Sequence, residues 1–406
     1  MSINELYTPK QQRVLLQART NFRIMINYGA VRSGKTVVDN DIFIKELMRV
    51  RTMADRVGTK TPMFILAGVS SKTIQDNILQ ELSNKYGIEF HFDKHGSFKL
   101  FGVKVVQTFT GSIAGLGAIR GMTAAGAYVN EASLANQEVF QEIIQRCSMP
   151  GARIVCDTNP DVPTHWLKTQ YIDNHDPKAR IVTNHFILDD NTFLDDDYIE
   201  SLKASTPSGM FYDRAVRGLW VSGEGMVYRD FDKDTMMIQP SQLPKNLTYY
   251  CGVDWGYKHP GSIVVLGEDQ QGNVYLVEEH TEQFKEIDYW VSVAKKMQRK
   301  YGQRIPFYAD TARTEHIDRF NRENIRTIYG NKSVLSGIED VAKLIKSNKF
   351  KVNQAGIMSF LNEIYAYVWD ERSGMPVKEN DHSMDAIRYA IRTHHHQPAS
   401  VQTFKY

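Results

Sequence analysis

Two sets of residues in this 406-residue chain have the types and spacing to do chemistry. The first is the run Gly29-Ala30-Val31-Arg32-Ser33-Gly34-Lys35-Thr36. It follows an apolar stretch over residues 23–28 and precedes an apolar-periodic segment that reaches about residue 50. A strand, a loop of this pattern and a helix together turn backbone N–H groups inward around phosphate, direct the lysine to the terminal phosphates and offer the threonine hydroxyl to Mg²⁺. Gly29, Ser33, Gly34, Lys35 and Thr36 are therefore the expected contacts to ATP and Mg²⁺. The second set is Asp254, Asp310 and Asp385, carried on separate predicted elements, with His382 three residues before Asp385 on nearly the same side of a helix. Carboxylates gathered at one point repel, and divalent cations relieve the repulsion. Two ions about 3.5 to 4 Å apart also activate water and stabilise the leaving oxygen of a phosphodiester. The three aspartates are the expected ligands for Mg²⁺ or Mn²⁺, and His382 is placed to ligate or to relay a proton.

The elements around the phosphate loop supply further candidates. A strand over residues 124–129 ends in Asn130-Glu131, where phosphate-loop enzymes normally carry Asp-Glu. Glu131 is expected to orient or deprotonate the attacking water, while Asn130 offers a neutral oxygen in place of the carboxylate that usually supports Mg²⁺. Arg32, inside the loop, is expected to spread over the γ-phosphate as an internal arginine finger, with solvent or DNA as its other destination. A strand over residues 152–157 runs into Thr158-Asn159-Pro160, polar groups placed to sense the γ-phosphate, although proline turn chemistry alone would also account for them. Gln11, upstream of the first strand, is expected to read the adenine edge. Strands and helices alternate from Phe22 to about His185, which predicts a mostly parallel sheet.

Beyond residue 248 the pattern changes. Strands near 249–254, 262–266 and 274–278 read as an antiparallel meander, followed by a helix over about 287–301, a strand ending in Asp310, and a late helix with Asp381 at its N-cap, a metal ligand being the other reading of that residue. That order predicts an RNase H-like fold. The fold class is therefore α/β: a P-loop NTPase domain with a mostly parallel sheet over residues 1–205, a linker or hinge over 206–247, an RNase H-like nuclease domain over 248–395 and a tail over 396–406. His394, His395 and His396 read as solvated tail rather than as a metal site. Asp195, Asp196 and Asp197 read as the acidic start of a helix.

Composition limits the partners. Hydrophobic residues make up 42% of the chain and charged residues 24%, and no apolar run approaches the roughly 20 residues of a membrane span. The net charge of +2 is too small for a global field, so contact with DNA must come from local basic patches such as Arg313, Arg319, Arg322, Lys343, Lys346, Lys349 and Lys351. Three scattered cysteines and an N-terminus without a secretory pattern predict a reducing, cytoplasmic setting.

Read together, GAVRSGKT, YVNEAS, DTNP, NHFILDDNTFLDDDYI, RGLWVSGEGMVY, GVDWG, YADTA and DHSMDAIRYA resemble the landmarks of the large terminase subunit of tailed bacteriophages and prophages. The resemblance covers nearly the whole chain. It implies an ATP-driven motor that docks on the portal protein of a procapsid, pumps double-stranded DNA inward and cuts concatemeric DNA. Further implied are a small terminase subunit as partner, a homo-oligomer when docked on the portal and a monomer in solution, and a place in the host-cell cytoplasm, transiently at the portal. By resemblance Lys35 and Thr36 serve ATP and Mg²⁺, Arg32 and Glu131 serve hydrolysis, and Thr158 and Asn159 couple hydrolysis to motion. Asp254, Asp310, His382 and Asp385 form the nuclease centre. Two other readings compete: a helicase or repair translocase with an accessory nuclease, and a nuclease whose N-terminal half is only a nucleotide-binding docking module.

Overall fold

A computed structural model describes residues 3–396. The chain divides into two compact units, residues up to 203 together with 212–221, and residues 204–211 together with 222 onward. Among the described residues no helix is long and apolar enough to cross a membrane.

The first unit is built on seven strands: β1 (Ile24–Gly29), β2 (Met63–Gly68), β3 (Phe98–Leu100), β4 (Val103–Phe109), β5 (Gly126–Val129), β6 (Arg153–Thr158) and β7 (Ile181–Phe186). They lie in the order β3-β4-β2-β5-β6-β1-β7, and every neighbouring pair is parallel except β3 with β4. Its strands are apolar on both faces, as a sheet covered on two sides requires. Met25, Phe64, Leu66, Tyr128 and Val155 pack into one core; Ile24, Ile26, Ile65, Ala127, Ile154 and Cys156 pack into the other. Helix α1 (Pro9–Gln17) starts at a capping box, with Thr8 as N-cap and Pro9 in the first turn. Helices α2 (Lys35–Arg56) and α3 (Gln137–Arg146) follow. Helix α4 (Asp196–Ser205) begins with Asp196 and Asp197, the acidic start that favours a helix N-terminus.

The second unit carries β8 (Met237–Ile238), β9 (Thr248–Asp254), β10 (Gly261–Glu268), β11 (Val274–Glu282), β12 (Phe307–Ala309), β13 (Thr327–Tyr329) and β14 (Phe350–Asn353). Their order is β13-β12-β9-β10-β11-β14-β8. Strands β9, β10 and β11 form the expected antiparallel meander, and β12 lies parallel to β9. One face is covered by α5 (Ile287–Tyr301) and α6 (Thr314–Arg322), whose Trp290, Ala294, Met297, Ile317 and Phe320 join Cys251, Val253, Ile263 and Phe307 in one core. Helices α7 (Val334–Lys346) and α8 (Ser359–Ala366) precede α9 (His382–His395), which lies against β9, β10 and β12. Gly252 permits that approach, because a Cβ there would stand 1.9 Å from the Ala386 carbonyl oxygen.

Two sequence expectations are corrected here. Residues 206–247 are not a linker. Residues 212–221 belong to the first unit, where the Val31 N–H donates to the Ala215 carbonyl at 3.1 Å and the Leu188 N–H to the Val216 carbonyl at 2.9 Å. The remainder joins the second unit through β8 beside β14 and through Phe231 against Phe360. Irregular backbone hid this, yet Trp220, Val227, Tyr228 and Phe231 are buried apolar anchors. The histidines are not a solvated tail either, since α9 runs through His395. His394 stacks on Tyr250 with ring centroids 4.0 Å apart, and its Nδ1 lies 3.0 Å from the Tyr308 hydroxyl. His395 meets Glu268 at 2.9 Å and His396 meets Asp340 at 3.1 Å. The rest of the expected tail, 397–406, lies outside the described residues.

Gly218 shows how tightly residues 212–221 hold the phosphate loop. Its φ is +67°, and a Cβ would meet the Phe186 carbonyl oxygen at 2.4 Å and the Ala30 nitrogen at 2.6 Å. Gly218→Ala is therefore expected to cost more than about 2 kcal/mol, combining left-handed strain with a backbone clash. Gly58, with φ +71° and nothing within 4 Å of its Cβ position, is the matched control. Gly58→Ala should cost about 1 kcal/mol. Denaturant unfolding of the two variants measures the difference, and equal losses would refute the buttressing role of Gly218.

Candidate functional site

The first candidate site is the cleft at the carboxyl ends of β1, β5 and β6, where open α/β sheets bind ligands. It encloses about 500 Å³ and is lined by residues 31–37 together with Asn40, Asp76, Asn77, Glu81, Asn159, Asn191 and Leu194, a size in the range of small-molecule sites. The Lys35 ammonium is buried and donates to the Gly29 carbonyl at 3.0 Å, the Ala30 carbonyl at 2.5 Å and Asn159 Oδ1 at 3.0 Å. Burial pushes the Lys35 pKa down to about 8 against the pull of Asp157, Asp39 and Glu131. Ser33 Oγ donates to the Ala30 carbonyl at 2.8 Å. Gly34 N-caps α2, and Thr36 lies in its first turn, facing the cleft. Arg32 is exposed at the rim with φ 56°, and its carbonyl accepts from Asn191 Nδ2 at 2.6 Å.

Strand register brings the next residues to the same edge. Tyr28 of β1 lies beside Thr158 of β6, and Val129 of β5 beside Cys156. Thr158 Oγ1 accepts the Ser133 N–H at 2.9 Å, and Ser133 Oγ donates to the Asn159 carbonyl at 3.0 Å. The Thr158-Asn159 segment is thus tied both to Lys35 and to the turn that follows Glu131. Glu131 has left-handed backbone, φ 55°, and its N–H donates to Asp157 Oδ1 at 2.8 Å. Burial, then the Asp157 charge, raises its carboxyl pKa, a direction that strengthens a general base.

The second candidate site lies at one end of the other sheet. Asp254 closes β9, and Asp310 follows β12 in register beside it, since Ala309 pairs with Val253. Asp385 and His382 lie in the first turn of α9. His382 Nδ1 lies 3.0 Å from Asp254 Oδ2, and this bond raises the imidazole pKa. Burial, with the charges of Asp385 and Asp310, pushes Asp254 up to about 6 while His382 opposes. Lys332 Nζ lies 2.7 Å from Asp310 Oδ1, and Arg388 Nη2 lies 2.8 Å from Asp385 Oδ1.

Residues 27–233 match the model of the terminase large subunit, T4likevirus-type, N-terminal, and residues 251–393 match that of the terminase RNaseH-like domain. The chain belongs to the large terminase subunit family. It combines the ATPase and RNase H-like nuclease domains of such subunits. Solved structures agree with this large terminase along nearly its whole length. The large terminase from a thermophilic bacteriophage superposes, in one crystal form, with a TM-score of 0.80 at 24% identity, over 95% of this chain and 98% of that one. The same phage protein in complex with ADP gives 0.77 at 24% identity, over 96% and 100%. Its complex with ATP-gamma-S gives 0.75 at 25% identity, over 94% and 98%. No curated protein matches the chain.

Three site expectations of this terminase change. Gln11 is engaged by the protein itself: its Oε1 accepts the Thr8 N–H at 3.0 Å and its Nε2 donates to the Gly34 carbonyl at 2.9 Å, so the amide braces the phosphate loop. Asp254, Asp310 and Asp385 share one end of the sheet but are not a closed metal cage. Among the described residues no three His, Cys, Asp or Glu side chains stand close enough to hold an ion, because His382, Lys332 and Arg388 each answer one acid. The donor chemistry, three hard carboxylates at one end of a sheet, still suits a divalent cation. Asp381 occupies the N-cap position of α9 without a side-chain bond. Glu363, on α8, accepts from the Ser383 N–H at 2.7 Å and the Met384 N–H at 3.2 Å instead. Sequence reasoning missed Glu363, Lys332, Asn77 and Asn191, each of which acts on a distant segment, and Arg388, which meets Asp385 three residues earlier on α9.

The Asp254–His382 pair gives a signed pH prediction. Asp254 moves from 3.8 to about 6 on folding, so the folded chain holds that proton more tightly than the unfolded chain, and His382 is raised likewise. Both contributions favour the folded state at low pH and are lost as pH rises. The stability of the metal-free wild type, measured against Asp254→Asn, is expected to fall from pH 3.8 through about 6 toward neutrality. Urea unfolding across that range tests it, and a flat or rising difference would remove the buried pair as its cause.

Proposed function

We propose that this large terminase hydrolyses ATP to drive double-stranded DNA into a procapsid and cuts concatemeric DNA with its second unit. The observation that carries the reading is the joint geometry around the phosphate loop: the Lys35 ammonium bonds Asn159, its charge acts on the Glu131 carboxyl, and Ser133 ties Thr158 to the turn after Glu131. The thermophilic-phage relative, crystallised with ADP and with ATP-gamma-S, supports the same ligand for this cleft. With nucleotide bound, Lys35 would exchange its carbonyl partners for terminal phosphate oxygens, and Thr36 would offer its hydroxyl to the accompanying Mg²⁺. Arg32, at the rim, reaches over the γ-phosphate, while Glu131 orients the attacking water and accepts its proton. Because Asn159 Oδ1 already touches Lys35, a change at the γ-phosphate reaches β6 through one hydrogen bond.

In the second unit, bound Mg²⁺ or Mn²⁺ would supply an activated water and stabilise the leaving oxygen of the phosphodiester. Asp254, Asp310 and Asp385 would hold the ions, with His382 fixing Asp254. The portal protein, the small terminase subunit and assembly into a homo-oligomer on the portal belong to the same reading. Arg313 and Lys285, near the end of the sheet that carries the acids, offer cations for DNA phosphates.

Separate active sites should fail separately. Lys35→Ala is expected to lower DNA-stimulated ATP turnover by at least about 10²-fold and to abolish packaging into purified procapsids, while plasmid cleavage persists. Asp310→Asn is expected to do the reverse. Parallel ATPase, cleavage and packaging assays decide it. Strand displacement without packaging would replace the motor reading with a helicase, and full cleavage by Asp310→Asn would exclude that acid from the nuclease centre.

A further inference from the structure

β5 runs directly into Asn130, so the usual carboxylate beside the nucleotide metal is missing from the end of its own strand. One strand over, Asp157 is a carboxylate with 1% exposure, and parallel register sets it next to Asn130. It accepts from Asn130 Nδ2 at 2.8 and 3.0 Å, from the Glu131 N–H at 2.8 Å and from the Tyr128 hydroxyl at 3.2 Å. A carboxylate only accepts, so it fixes the Asn130 amide with its NH₂ toward β6 and its Oδ1 turned away. That Oδ1 accepts from Asn77 Nδ2 at 3.1 Å. The Asn77 carbonyl accepts from Asn40 Nδ2 at 2.9 Å, and Asn40 Oδ1 lies 3.2 Å from the Tyr128 hydroxyl. These five residues close a ring in which Asn40 and Asn77 line the nucleotide cleft.

Glu131 depends on the same anchor. Left-handed backbone at a residue other than glycine costs on the order of 1 kcal/mol, and the charge-assisted bond from its N–H to Asp157 offsets that cost. Asp157 also heads the charges that act on Lys35. We propose that Asp157 is the positioning residue that supplies, from β6, the carboxylate charge β5 lacks, orienting Asn130 and Glu131 for the Mg²⁺-bound nucleotide. This rests on the ATPase reading above. Only one of the two adjacent positions can carry an acid, because a second buried carboxylate within hydrogen-bond distance would repel the first. The pair Asn130–Asp157 therefore behaves as one unit whose charge can sit on either strand.

The test is a swap. For Asp157→Asn, the Mg²⁺ concentration that gives half-maximal binding of a fluorescent ADP analogue should rise about tenfold, and ATP turnover should fall about 10²-fold. Asn130→Asp alone should also raise the Mg²⁺ requirement. The double variant Asn130→Asp/Asp157→Asn restores one acid and one amide and should recover both readouts. An Asp157 that only braced the fold would lower the unfolding midpoint without moving the Mg²⁺ titration, and that result overturns the proposal. So does a double variant no better than Asp157→Asn. If Asp157→Asn does not fold, the double variant decides alone: a wild-type Mg²⁺ requirement supports the proposal, and a raised requirement or an unfolded protein overturns it. Wild type that binds no nucleotide analogue at any Mg²⁺ concentration would overturn the ATPase reading itself.

Discussion

Acids gathered at the ends of strands repel one another, and nearly every feature of both candidate sites answers that repulsion. In the second unit the answer is three separate bases, His382 on Asp254, Lys332 on Asp310 and Arg388 on Asp385. In the first it is substitution: Asn130 replaces an acid beside Asp157, so that a carboxylate meets donors instead of another carboxylate. The two solutions differ because the sites differ in exposure. Lys332 reaches Asp310 from a half-exposed position, whereas Asp157 lies where a further counter-charge would have to be buried with it.

Carboxylates that take no part in chemistry are used just as deliberately, as caps. Glu363 bonds the first free N–H groups of α9, and Glu279 accepts from the Ser359 N–H at 2.5 Å and the Phe360 N–H at 3.0 Å at the start of α8. Burial pushes Glu363 up to about 7 and raises Glu279 as well. Each helix start has orphan donors and a positive end of its dipole, so an acid there satisfies both.

What could be read from the sequence was what is local. The phosphate loop, the strands on either side of it and the strand-end acids depend on a few consecutive residues, and continuous apolar runs made the first sheet plain. The family landmarks added the order of the parts. What could not be read depends on distant partners. Gln11 is a loop brace because Gly34, 23 residues away, turns its carbonyl toward it. In the sequence Asp157 is only the end of a strand, whereas its partners Asn130 and Glu131 follow β5. Residues 212–221 look like a linker until Gly218 is set against Phe186 and Ala30.

Helix α9 carries His382 and Asp385 at one end and His394 at the other. Its 14 residues make a rod about 21 Å long. Glu363 holds the first turn, Gly252 lets the middle rest on β9, and the His394 ring is clamped by Tyr250 and Tyr308 at the last turn. Mechanically this is a beam supported at both ends and along its span, not a cantilever. Thermal bending, which would be largest at a free tip, is held down where Asp385 must stay aligned with strand-borne acids. His394, at the far end, is therefore part of what fixes the position of Asp385 from more than two turns away.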